Sequence, residues 1–202
     1  VAALTHNDKY GHQIIWAKQT ILASGGAGCL YRETTNAPTA TADGHALAFR
    51  AGVTLRDMEF VQFHPTALYV AGAARALISD AVRGEGGRLV DREGNRFMTS
   101  YHPDGDLAPR DIVSRAIRQH IAATHSTCAY LDVRHFPPGR FKERFPNIAA
   151  LCEDFDIDVT KVPIPVRPAA HYTIGGAAVD QDGRSNVSGL YACGEAAATG
   201  VH

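Results

Sequence analysis

Apolar and polar positions alternate at the start of the chain. Residues 1–4 and 12–17 read as two strands, and the polar run Asn7-Asp8-Lys9-Tyr10-Gly11 between them predicts a hairpin. A third apolar run, Thr20-Ile21-Leu22-Ala23, stops at Ser24-Gly25-Gly26-Ala27-Gly28. A strand that ends in glycines is where an α/β sheet lets a ligand approach the backbone, because no Cβ stands in the way. The bland reading of the same glycines is a plain turn. Asp43, followed by Gly44-His45-Ala46-Leu47-Ala48-Phe49-Arg50-Ala51, predicts a helix with Asp43 at the N-cap and Gly52 closing it. Residues 53–63 are mixed and run into His64-Pro65-Thr66, where Pro65 biases His64 toward extended backbone at a strand end.

The middle of the chain has another texture. Gly84-Glu85-Gly86-Gly87 leads into Arg88-Leu89-Val90, then the turn Asp91-Arg92-Glu93-Gly94-Asn95, then Arg96-Phe97-Met98, a hairpin pattern. Pro109, at the first helical position, opens the clearest helix. Its Ile112, Val113, Ala116, Ile117 and Ile121 fall on one face, Asp111 suits the positive end of the dipole, and Arg110 sits at the N-terminal tip. Residues 137–168 are punctuated by prolines, with a helical run over 147–153 and an extended run over 162–166. Strand and glycine return at 171–179, Asp182-Gly183 forms a hairpin turn, and Gly189-Leu190-Tyr191-Ala192-Cys193-Gly194-Glu195 repeats the pattern of a strand ending in glycine. Two such strands therefore bracket an inserted module. The expected fold is α/β, with residues 1–57 and 174–202 as pieces of one domain and 58–173 as an α+β insertion.

Charge narrows the choice of ligand. Among 202 residues, 20 Lys plus Arg stand against 21 Asp plus Glu, a net charge of −1, so no overall field favours nucleic acid or an acidic membrane surface. The arginines are dispersed and form no basic stripe interleaved with aromatics, and an anionic ligand must be held by local cations. No apolar run approaches the roughly 20 residues of a membrane helix. Cys29, Cys128, Cys152 and Cys193 stand singly, without zinc-site spacing, and read as reduced, mostly buried thiols of a cytoplasmic protein with no metal site. The chain starts without Met or a signal sequence and stops at Gly200-Val201-His202 without a tail, which reads as a piece of a longer protein.

Polar residues at element boundaries supply the candidate chemistry: His64, Ser79, Asp80, Arg83, Glu85, Arg110, Asp111, His171 and Glu195. Taken singly, each has a bland explanation as a cap, a structural histidine or a surface ion pair. Together with their neighbours they form an ordered set. Ala23-Ser24-Gly25-Gly26, Asp43-Gly44, Phe60-Val61-Gln62-Phe63-His64-Pro65-Thr66, Arg83-Gly84-Glu85-Gly86-Gly87, Pro109-Arg110-Asp111-Ile112-Val113, His171-Tyr172-Thr173 and Tyr191-Ala192-Cys193-Gly194-Glu195 follow one another along nearly the whole chain. In that order they resemble the succinate dehydrogenase/fumarate reductase flavoprotein family.

The resemblance implies part of a Rossmann-like FAD-binding domain carrying an inserted capping domain, with FAD as cofactor. It places Gly25, Gly26, Asp43 and Glu195 around FAD, and His64, Ser79, Asp80 and His171 on the substrate. Arg110 becomes the proton donor or acceptor. A guanidinium with a pKa above about 12 needs a relay that restores its proton, and Asp80 with Arg83 one turn further on is the candidate. The family has Thr-Glu where this chain has Ser79-Asp80, a carboxylate arm one methylene shorter. Thr66-Ala67-Leu68, Pro168-Ala169-Ala170 and Thr199-Gly200-Val201-His202 lean toward the branch that oxidises L-aspartate to iminoaspartate, with oxygen or fumarate as acceptor, on the way to quinolinate and NAD. The alternatives are a succinate or fumarate flavoprotein subunit and a non-catalytic FAD-family module. The implied partners are a small dicarboxylate (L-aspartate, fumarate) and quinolinate synthase, with no nucleic acid and no membrane. In the family a Gly-x-Gly-x-x-Gly loop lies before the position of Val1, and a substrate-gripping arginine beyond that of His202. The 202 residues alone are therefore expected to hold FAD weakly and turn over little.

Overall fold

The computed structural model describes residues 1–71 and 76–200. In chain order its regular elements are β1 (Ala2–Asn7), β2 (Gly11–Trp16), β3 (Thr20–Leu22), α1 (Asp43–Arg50), β4 (Leu55–Arg56), β5 (Val61–Leu68), α2 (Asp80–Gly84), β6 (Arg88–Val90), α3 (Arg110–Ala123), β7 (Ala129–Asp132), α4 (Arg140–Arg144), α5 (Pro146–Asp154), β8 (Ile164–Thr173), β9 (Gly176–Ala178), β10 (Leu190–Ala192) and β11 (Ala197–Ala198). Short 3₁₀ turns, among them Gly105–Leu107 and Gly194–Ala196, join some of these. The chain divides into two compact units. The first comprises Val1–Arg32, Asn36–Gln62 and His171–His202, and the second Glu33–Thr35 and Phe63–Ala170. The final Val201-His202 motif lies outside the described residues.

In the first unit β1 and β2 form the expected antiparallel hairpin, with Ala2 opposite Trp16. The two strands that end in glycines, β3 and β10, turn out to be neighbours: they pair in parallel, Ile21 opposite Tyr191, across most of the chain's length. A second small sheet has the order β11-β9-β4. Ala48 of α1 packs with Val53, Ala177, Leu190, Ala192 and Ala197 to make a core of small side chains. The N-cap of α1 is Ala42, at φ +65, and not Asp43, which is the first helical residue. Its carboxylate instead accepts from Thr41 Oγ1 at 2.8 Å. Gly52 closes the helix as expected, at φ +85.

The second unit is built on a four-stranded sheet of order β5-β8-β7-β6. β5 lies at an edge, where the missing N–H of Pro65 breaks no central ladder, and His64 sits inside this strand rather than at its end. The expected hairpin after Val90 is reduced to one bridge, Val90 to Arg96. Phe97 and Met98 are both buried, which successive residues of a half-buried strand cannot be, and the chain enters a 3₁₀ turn at Met98. β6 pairs with β7 instead. Helix α3 buries Val113, Ala116, Ile117 and Ile121, with Ile112 packed at the rim, as the periodicity predicts. Pro109 is its N-cap at ψ 149, so Arg110 is the first helical residue. Helix α4 was hidden behind Pro137-Pro138-Gly139, where Gly139 at φ +78 turns the chain into it.

Of the four free thiols only Cys128 and Cys152 are buried; Cys29 is half-buried and Cys193 exposed. Burial, with the nearby Glu153 charge, pushes the Cys152 thiol up to about 11, so it is inert at neutral pH. Among the described residues, no helix is long and apolar enough to cross a membrane.

Candidate functional site

In the second unit three predicted polar residues, His64, Arg83 and Arg110, converge on the carboxylate of a fourth, Asp80. β5 carries His64, which has no exposed surface. The Thr66 N–H donates to its Nδ1 at 3.2 Å, which leaves the ring proton of the neutral tautomer on Nε2, and Nε2 lies 3.2 Å from Asp80 Oδ1. Ser79 caps α2: its Oγ accepts from Ala81 N at 3.2 Å, and Asp80 follows as the first helical residue. One turn on, Arg83 Nη2 donates to Asp80 Oδ1 at 2.5 Å. From the tip of α3, Arg110 Nε donates to Asp80 Oδ2 at 2.5 Å. The shortened arm of Asp80 therefore reaches both guanidinium groups.

Exposure ranks these groups. The side chains of His64 and Arg83 are 0% and 5% exposed, Asp80 29% and Arg110 38%, so Arg110 is the member that meets the surroundings. Burial opposes ionisation of Asp80, yet hydrogen bonds from His64, Arg83 and Arg110 and the Arg83 charge outweigh it and hold the carboxyl well below the usual carboxylate range. Asp80 is thus an anion at rest, clasped between two cations. Such an arrangement can fix a guanidinium in space and share its protons through short charge-assisted bonds.

Two other candidates have structural partners. Glu85 accepts from Arg140 at 3.1 Å and Arg144 at 3.0 Å, and Asp111 pairs with Arg115 on the surface of α3. Asp106 did not stand out in the sequence. It is buried, its Oδ1 accepts from Leu89 N at 3.1 Å, its Oδ2 from Arg96 Nη2 at 2.8 Å, and its backbone oxygen from Arg83 Nη1. Only its place four residues before Arg110 marks it in the sequence.

The first unit gathers the residues expected at the cofactor. Gly25 has φ +77, and an added Cβ there would meet nothing within 4 Å, so the turn after β3 presents bare backbone. Gly26 is the opposite case: a Cβ there would collide with the carboxylate of Glu195. Gly44 abuts Ser24, and Ala42 N donates to Gly26 O at 3.2 Å, which brings exposed Asp43 and the start of α1 against the same turn. Glu195 Oε1 accepts from Thr173 N at 2.7 Å, and Thr173 Oγ1 in turn accepts from Ala27 N at 2.9 Å. Thr173, marked in the sequence only as the end of the His171-Tyr172-Thr173 motif and given no role of its own there, thus ties the glycine turn to Glu195. A carboxylate has about four acceptor sites, so one hydrogen bond leaves Glu195 able to take a ribityl or ribose hydroxyl. Bare backbone, a helix start and a carboxylate acceptor side by side fit a dinucleotide cofactor. His171 belongs to this unit too, at the end of β8, with its backbone oxygen accepting from Asn36 Nδ2 at 3.1 Å. The structure thus places the two candidate histidines, His64 and His171, in different units.

A flavin-type nucleotide fold with a separate unit carrying a clasped arginine defines a class, and the comparisons agree with it. Residues 2–202 match the FAD binding domain family, and the chain belongs to that family; its cofactor is FAD. The similarity extends to particular enzymes. The chain is 53% identical over 199 residues to an L-aspartate oxidase of Nostoc sp., covering 96% of this chain and 34% of that protein. It is 54% identical over 188 residues to L-aspartate oxidase 1 of Ralstonia nicotianae, covering 93% of this chain and 35% of that protein. Among solved structures, a quinol-fumarate reductase with menaquinol molecules superposes with a TM-score of 0.84 at 40% identity, over 95% of this chain and 36% of the other. The chain spans about a third of the length of the curated relatives it matches.

Proposed function

We propose that the protein to which these residues belong oxidises L-aspartate to iminoaspartate, with oxygen or fumarate as acceptor. The observation that carries this reading is the Asp80 carboxylate holding Arg110 Nε at 2.5 Å on one oxygen and Arg83 Nη2 at 2.5 Å on the other. L-Aspartate oxidase names on relatives at 53% and 54% identity supply the substrate.

The chemistry that bound FAD would supply is a hydride acceptor beside the substrate carbon. Everything else falls to side chains. Arg110 offers a fixed cation to the substrate and exchanges a proton with its neighbours; Asp80, ionised at rest, takes that proton in passing through its short bond to Arg110 and returns it, with Arg83 behind it. Ser79 keeps a hydroxyl proton after capping α2 and can donate it to a carboxylate. His64, whose Nε2 faces Asp80, donates to a substrate carboxylate when that contact opens, and His171 is a further substrate-binding histidine. Gly25, Gly26, Asp43 and Glu195 are the residues that would hold FAD. The imine product hydrolyses in water, so direct transfer to quinolinate synthase in the cytoplasm suits this chemistry.

The fumarate reductase likeness favours one competing reading, a succinate or fumarate oxidoreductase. Both readings are tested on the full-length protein loaded with FAD and mixed, without oxygen, with L-aspartate or with succinate. Bleaching of the flavin by L-aspartate alone is expected; bleaching by succinate alone moves the protein to the other branch. Arg110→Ala should lower turnover by orders of magnitude with flavin still bound, and flavin loss as its only effect would show a structural role.

A further inference from the structure

The clasp around Asp80 has a back wall. Arg83 is 5% exposed and uses two arms: Nη2 donates to Asp80 Oδ1, and Nη1 donates to the backbone oxygen of Asp106. Asp106 is itself 6% exposed, a charge that burial tolerates only when its oxygens are occupied. They are, by Leu89 N from β6 and by Arg96 Nη2, whose side chain is 52% exposed. The same residue lies in the 3₁₀ turn Gly105–Leu107, and only Ala108 and Pro109 separate that turn from Arg110.

These contacts close a ring. Starting at Arg110, the path runs through Asp80 and Arg83 to the Asp106 carbonyl, then back along four residues of chain to Arg110. The Asp106 side chain is the pin that holds the ring to the sheet. A carboxylate and an exposed arginine fix the turn, the turn aims the carbonyl at Arg83, and the turn also delivers the helix tip that carries Arg110. A loop fixed only by its own backbone would leave Arg110 free to drift by the ångström that costs a preorganised site its rate.

We propose that Asp106, paired with Arg96, is a positioning residue that sets Arg110 and Arg83 on Asp80. It touches neither substrate nor cofactor. The consequence for turnover rests on the reading under Proposed function, whereas the consequence for Asp80 does not. The groups that face Asp80 are His64 from β5, Arg83 from α2 and Arg110 from α3. If Asp106 slackens, Arg83 retreats first, and the Asp80 carboxyl becomes easier to protonate.

The test uses the full-length, FAD-loaded protein as wild type, Asp106→Asn, Asp106→Ala and Arg96→Gln. Asn keeps an oxygen for Leu89 N but turns away Arg96, and Arg96→Gln leaves Asp106 intact, so these two milder variants keep the test alive if Asp106→Ala does not fold. The expected result is a fall in kcat of tenfold or more for Asp106→Ala, a smaller fall for the other two, KM within twofold of wild type, and an acid limb of the kcat profile shifted to higher pH. The readout independent of activity is the protonated-carboxyl infrared band of Asp80, assigned by its loss in Asp80→Asn. In the Asp106 and Arg96 variants that band should appear at higher pH than in wild type, with flavin content unchanged. An Asp80 band that does not move overturns the proposal, as does a rise in KM at constant kcat. If wild type oxidises neither L-aspartate nor succinate, the proposed function fails and the infrared titration still decides the role of Asp106.

Discussion

The two units hold their functional residues by opposite means. The second has a core of large side chains, with Leu68, Ile117, Leu131 and Ile164 at or near zero exposure, and a site made of side chains locked to side chains. The first has a core mostly of alanines, leaves Ile14, Trp16, Ile21 and Phe49 exposed, and builds its site from backbone and glycine with two carboxylates, Asp43 and Glu195. Holding a guanidinium to fractions of an ångström needs surroundings that do not yield, and dense packing of branched side chains supplies that. Letting a flat cofactor lie against the chain needs the reverse, a thin wall with no Cβ, which small residues supply.

If this division of labour is right, damage to each site should have different readouts. The largest effect is expected from Asp80→Asn, which removes the anion shared by Arg83, Arg110 and His64. Turnover of the full-length protein should fall by about 10²–10⁴-fold, the range of a lost proton-transfer group, while bound flavin stays stoichiometric by absorbance. Loss of flavin with turnover per bound flavin intact would break the comparison. The next effect is on stability. Leu131→Ala, at 0% exposure in the large core, should cost about 2–5 kcal/mol by urea unfolding, whereas Leu190→Ala, at 8% exposure among alanines, should fall at or below the lower end of that range. Equal costs would mean the two cores are equally demanding.

Gly26→Ala sharpens the comparison from the cofactor side. The added methyl meets the Glu195 carboxylate, and overpacking of this kind costs about 1–3 kcal/mol, so FAD affinity should drop roughly tenfold or more. Turnover at saturating FAD should stay near wild type, because nothing in the Asp80 clasp is touched. A titration that finds wild-type FAD affinity would show that Glu195 gives way freely.

How much of this was legible in the residues follows the range of the interactions. Helix α3 could be read from its spacing, because Val113, Ala116, Ile117 and Ile121 face the core through local geometry. The Asp80 and Arg83 pair was readable too, since a helix sets residues three apart side by side. His64 closing on Asp80, and Asp106 closing on Arg83, depend on which strand and which turn pack together, and no local pattern encodes that. The parallel pairing of β3 with β10 is the extreme case: both strands could be recognised by the glycines that follow them, but not that they are partners. Local chemistry misled only at element ends. Asp43 and Pro109 look like the residues that start helices and each sits one position from where that pattern put it, because Ala42 takes a left-handed turn and Pro109 stays extended.

The smallest predicted effect concerns pH and the first unit alone. His45 in α1 is 2% exposed, and neither ring nitrogen makes a hydrogen bond with the described residues. Burial holds its imidazole below the usual 6.5, against the opposing pull of the Glu195 backbone and carboxylate. The sign of the linkage follows. Above 6.5 the ring is neutral in both the folded and the unfolded chain and costs nothing extra; as pH falls below 6.5 the unfolded chain takes up a proton that the folded chain refuses. Stability should therefore decline as pH drops through and below 6.5, levelling off once the folded ring is also protonated. His45→Leu removes the titration, so the difference in urea midpoint between variant and wild type should move in the variant's favour between pH 8 and pH 5.5. A variant that loses stability with acid as steeply as wild type would place the acid sensitivity elsewhere than His45.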